Sequence, residues 1–89
     1  MPYIKQKDRE VIDPSLQTFI TDLKTKNMLG PGRMNYIIST LLTEFYPVAR
    51  GYSGINEAMG VLSCVSSEYY RRLAVPYEQD KIAENGDIF

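Results

Sequence analysis

The sequence predicts an all-α protein: a small three-helix bundle with an ordered C-terminal tail, expected to act as an oligomer. Three observations carry this prediction. Apolar residues recur at i, i+3, i+4 and i+7 in three separate stretches. Glycine and proline clusters punctuate those stretches at Leu29-Gly30-Pro31-Gly32 and near Pro47. At 89 residues, with 44% hydrophobic content, the chain is one domain near the lower end of what a single core stabilises, so association is favoured.

The opening stretch Met1–Ile12 is mixed and polar, and its alternation over Met1–Lys7 is too weak for a strand. Asp13-Pro14 reads as a helix start, because aspartate caps free N–H groups and proline tolerates the first helical position. Leu16, Phe19, Ile20 and Leu23 form the apolar stripe of a helix over about 14–27. A second helix is predicted over about 33–46. Met34, Ile37, Ile38, Leu41, Leu42 and Phe45 line it, and Tyr46-Pro47 ends it. The third and longest runs from Ser53, as N-cap, to Val75, before Pro76. Residues 76–89 are a charged tail with a turn at Asn85-Gly86, and Ile88 and Phe89 make an apolar hook expected to dock against its own bundle or a neighbouring subunit.

The third helix has two unlike faces. At about 100° per residue, Ile55, Ala58, Met59, Leu62, Val65, Tyr69 and Leu73 fall on one side, the predicted core face. Gly60, Ser63, Cys64 and Ser67 fall on the other, with Arg71 continuing their line. Small residues at this spacing let another helix backbone approach closely. Either a second subunit or packing inside the domain could use that face.

Composition excludes several chemistries. Ten basic and eleven acidic residues leave a formal charge of −1 and no net field for nucleic acid. No apolar run is long enough to span a bilayer, and no charged-then-apolar leader opens the chain, so membrane and secretory readings are not expected. A single cysteine suits a reducing, cytoplasmic compartment. With no histidine and one thiol there is no zinc set, and Asp80, Glu84 and Asp87 lack calcium-loop spacing. No metal or cofactor is expected. Cys64 has no base to activate it and reads as a structural, buried cysteine. Gly30-Pro31-Gly32-Arg33 opens a helix and is either an anion-binding terminus or, more simply, a turn.

What the chain does offer is tyrosine and arginine. Seven tyrosines and no tryptophan supply flat faces with polar tips. In Tyr69-Tyr70-Arg71-Arg72, Tyr69 turns to the core face, Tyr70 and Arg72 flank it on opposite sides, and Arg71 joins the small-residue face. Two arginines meeting at a subunit boundary could fork onto a phosphate. The plainer alternative is a surface network with Glu68 or Glu78.

Asn35-Tyr36, Gly60-Val61-Leu62-Ser63-Cys64, Tyr70-Arg71-Arg72, Pro76-Tyr77-Glu78, Lys81-Ile82 and Asn85-Gly86-Asp87, with the opening Met1-Pro2-Tyr3-Ile4 and Asp13-Pro14, carry a resemblance. The chain resembles a family of short phage and bacterial proteins of unknown function, over nearly its whole length. The resemblance brings no established activity. It implies a small helical protein in a phage or prophage setting, acting in the host bacterial cytoplasm.

In that setting the expected function is catalytically inert sequestration of a nucleotide-derived immune signal, a cyclic dinucleotide or an ADP-ribose derivative, between subunits of a homo-oligomer. Arg71, Arg72 and Lys81 would hold phosphate. Tyr70, Tyr77 or Tyr36 would stack on a base or line the ribose, and Asn35, Asn85 and Asp87 would read polar groups. The alternative is a protein-interaction module or inhibitor of a host protein, since tyrosine and arginine also anchor protein interfaces. A small hydrolase or transferase is the weakest alternative, because the usual base is missing.

Overall fold

In the computed structural model, residues 4–89 are described; the opening Met1-Pro2-Tyr3 lies outside them. The all-α class holds, with no strand among the described residues. The helical rods number three, as predicted, but two boundaries differ. The rods are α1 (Gln6–Thr25), α2 (Pro31–Phe45) and a continuous run of α3 (Gly51–Tyr69), a π segment (Tyr70–Ala74) and α4 (Val75–Asn85). A 3₁₀ turn, Val48–Arg50, precedes α3. The chain forms two compact units, one reaching to Thr40 and the other covering Leu41–Phe89.

In the first unit, α1 begins at Gln6, well before the Asp13-Pro14 start read from the sequence. The polar residues before Asp13 are themselves good helix formers, and the Gln6 amide donates to Glu10 at 3.3 Å across one turn. Pro14 therefore sits inside the helix, where it supplies no N–H and its ring crowds the carbonyl of Glu10. In the turn that follows, the Thr18 hydroxyl donates back to the Pro14 carbonyl at 3.0 Å, a back-bond that tends to bend a helix.

The end of α1 is set by an asparagine rather than by the glycine cluster. Asn27 adopts a positive φ of 55°, which asparagine tolerates better than most residues. Met28 N–H then bonds the Leu23 carbonyl at 2.8 Å and Asn27 N–H bonds that of Lys24 at 3.1 Å, a Schellman closure. Pro31 opens α2 at its first position, two residues before the expected start. Arg33 returns a guanidinium N–H to the carbonyls of Asn27 (3.0 Å) and Leu29 (3.1 Å). Its side chain thus holds the turn, in keeping with the plain reading of Gly30–Arg33.

In the second unit the expected stop at Val75 does not occur. Tyr69, Tyr70, Ala74 and Val75 all keep helical dihedrals through the junction. Proline in a regular helix removes a donor and crowds the carbonyl four residues back. Here the ladder widens just before it: Val75 N–H bonds the Tyr70 carbonyl, five residues earlier. That extra residue makes room for the Pro76 ring, and α4 continues. Gly51 through Asn85 is one helical path of roughly 50 Å at about 1.5 Å per residue.

Such a rod cannot fold back on itself, and the predicted core face is accordingly uncovered. Ile55 is 47% exposed, Met59 60% and Leu73 54%, while Ala58 and Leu62 are half-buried. No hydrophobic side chain among the described residues is buried. The apolar hook is also bare: Ile88 and Phe89 are fully open, and the Phe89 N–H bonds the Asp87 carboxylate at 2.9 Å. Docking of the tail on its own unit is thus corrected.

Candidate functional site

The nine predicted ligand-binding residues divide between the units. Asn35 and Tyr36 belong to the first, on α2, where the Ser39 hydroxyl donates to the Asn35 amide oxygen at 3.3 Å and Tyr36 is exposed. Tyr70, Arg71 and Arg72 lie on the π segment, Tyr77, Lys81 and Asn85 on α4, and Asp87 just beyond it. The second unit thus holds seven of the nine, six along one helical path and Asp87 just past its end.

Two clusters form there, one on each side of Pro76. On the first, Arg71 forks onto Glu68, with Nη2 at 2.8 Å from Oε1 and 2.9 Å from Oε2. Arg72 Nε reaches the same carboxylate at 3.4 Å. The spacing of three and four residues on a helix makes this meeting possible. The Arg71 guanidinium holds the Glu68 carboxyl below its ordinary value of 4.5; partial desolvation opposes this and Arg72 adds to it. On the second cluster, Lys81 Nζ lies 5.5 Å from the centre of the Tyr77 ring and 3.0 Å from the Glu84 carboxylate. A long contact of 3.5 Å from the Tyr70 hydroxyl to Glu78 spans the gap between them.

The arginines therefore adopt the plainer of the two arrangements read from the sequence, an arginine–glutamate network. Over residues 68–87, three cations face five carboxylates. The local field does not favour a polyanion. The surface hollows of α1, lined by residues such as Gln17, Thr21 and Asp22 or Gln6, Arg9 and Asp13, include none of the nine. Cys64 is exposed, not buried as the sequence suggested, because nothing covers its side of α3. Among the described residues no three Cys, Asp or Glu side chains gather as a metal site, and no helix is long and apolar enough to cross a membrane.

Sequence reasoning missed Arg50. Its guanidinium donates to the Phe45 carbonyl at 3.1 Å and to Glu57 at 3.2 Å, and lies 5.1 Å from the centre of the Tyr46 ring. It joins the end of α2 to the start of α3. The four-residue step from Tyr46 and the seven-residue step to Glu57 were the available signals, but Pro47 and Gly51 between them read as a loop. Gly51 at φ 77° turns the chain. Gly54, the lone buried residue among those described, lets Arg50 lie against α3: a Cβ there would stand 2.7 Å from the Arg50 Cβ.

No match was found among curated proteins or solved structures. A family model described as a domain of unknown function, DUF6899, matches residues 1–88. The match runs from the opening Met-Pro-Tyr past the Asn-Gly-Asp of the tail, and the chain belongs to the DUF6899 family.

Proposed function

We propose that the protein is a catalytically inert interaction module that binds a protein partner through the tyrosine-bearing face of the α3–α4 rod. One observation carries this reading. Ile55, Met59, Tyr69, Tyr70, Leu73 and Tyr77, all on one uninterrupted helical path, are between 47% and 65% exposed. A helix presenting aromatic and aliphatic anchors at helical spacing suits a groove or a second helix on the partner. The proposed place of action is the host bacterial cytoplasm, in line with the phage or prophage setting that the sequence resemblance implies.

The test is recovery of a stoichiometric complex from host lysate, reconstituted from purified components. Tyr70→Ala combined with Tyr77→Ala is expected to abolish it. Val11→Ala, at an exposed site on α1, is expected to leave it intact. A complex indifferent to the tyrosines removes this reading.

One feature favours the second reading, sequestration of a phosphate-bearing nucleotide signal. Arg71 and Arg72 already converge on a single carboxylate, and a phosphate needs the same convergence. Calorimetry with cyclic dinucleotides and cyclic ADP-ribose isomers tests it. Heat that disappears in Arg71→Ala supports capture, and no heat with any of them excludes it.

A further inference from the structure

We propose that two copies of the protein pair antiparallel along α3, about a two-fold axis at Cys64. The pairing uses the side of α3 opposite the tyrosine face, so it stands apart from the partner proposed there.

The first support is the shape of that side. From Ala58 to Ser67 the helix carries no charge, and its small residues Gly60, Ser63, Cys64 and Ser67 share the face. A Cβ placed on Gly60 would meet nothing within 4 Å, and the Cys64 thiol is open. The space over this face is free for another backbone. A helix with uncharged residues on both sides normally lies between neighbours.

Charge complementarity names the neighbour. Glu57, Cys64 and Arg71 are spaced by seven residues, and a heptad step drifts only about 20° on a straight helix, so the three share a face. An antiparallel copy centred on Cys64 sets Glu57 against Arg71 of the partner subunit. By symmetry Arg71 meets Glu57 of the partner subunit, giving two equivalent ion pairs. A parallel copy would oppose like charges at both positions, which selects the antiparallel one. Gly60 and Ser67 fall between the ion pairs, where the backbones must come closest. The intrachain contacts are compatible with this arrangement. Glu57 already holds Arg50 and Arg71 already holds Glu68, so each new pair extends an existing network.

The experiment combines native mass measurement of the full chain with a short bis-maleimide crosslinker and a charge swap. The wild type is expected to be dimeric and to crosslink through Cys64. Glu57→Arg and Arg71→Glu should each weaken the dimer about tenfold or more, as two equivalent ion pairs turn repulsive at once. The double variant should restore the dimer. Restoration would be diagnostic, because within each chain the introduced arginine would stand beside Arg50 and the introduced glutamate beside Glu68, so intrachain effects only worsen. Tyr70→Ala should leave the dimer unchanged. A monomer at all concentrations overturns the proposal. So does an oligomer whose Cys64 does not crosslink, or one in which the swap fails to rescue while circular dichroism shows helicity retained.

Discussion

Helices α1 and α3 are nearly equal in length, at 20 and 19 residues, and opposite in kind. α1 carries seven charged residues and α3 only two, Glu57 and Glu68. On α1, local pairs suffice: Lys26 bonds Asp22 at 3.0 Å, Gln6 bonds Glu10, and a Schellman closure finishes the helix. α3 has no such means along its middle, and its stability depends on how it is launched, how it is prolonged and what covers it. Charged surface helices persist through local contacts worth a few tenths of a kcal/mol each, whereas a neutral helix needs packing. The lesson is that the helix richest in apolar and small residues is also the part of the chain that most requires a neighbour.

Substitutions can break that contrast from either side. The largest effect is expected at Pro14, where alanine restores a helical donor and relieves the ring's pressure on the turn. Gains of up to about 3 kcal/mol in α1 stability are expected, read as a rise in thermal midpoint by circular dichroism. At the start of α3 the sign reverses: Gly54→Ala drives a Cβ into that of Arg50 and should cost about 1–3 kcal/mol. Arg50→Ala, by releasing the Phe45 carbonyl, the Glu57 carboxylate and the Tyr46 ring, should cost about 1 kcal/mol, with chemical denaturation as the check.

Glu68→Gln should have the smallest effect, visible mainly in its pH dependence. The folded carboxyl titrates below 4.5, so its pairing with Arg71 and Arg72 is present above that pH. The contribution falls away as the pH drops through the lowered value. Wild type and variant should therefore converge in acid and differ near neutrality. Carbon-detected titration of Glu68 would follow the same group directly, and a titration at or above 4.5 would contradict the network.

Much of this was legible in the sequence because it is local. The stripe from Met34 to Phe45 marked α2 to within two residues, and Tyr46-Pro47 marked its end. The three- and four-residue spacings of Glu68, Arg71 and Arg72 made their network readable, whereas the contact of Lys81 with Tyr77 emerged only in the structure. Both misread boundaries turn on proline. Asp13-Pro14 has the chemistry of a helix start, and Pro76 that of a stop, yet each sits inside helical backbone. At Pro76 a π widening makes room for the ring, whereas Pro14 is carried inside α1 by the helical turns on either side of it, at a cost that its replacement would recover.

The sequence by itself determined the helical class, the paired charges and the two unlike faces of α3, since these follow from neighbours within a turn or two along the chain. Only the tertiary structure decided that α3 and α4 form one rod, that Arg50 clasps the start of it, and that no hydrophobic side chain among the described residues is buried. Those outcomes depend on how the backbone passes Gly51 and Pro76, where a change of a few dihedrals redirects every residue that follows.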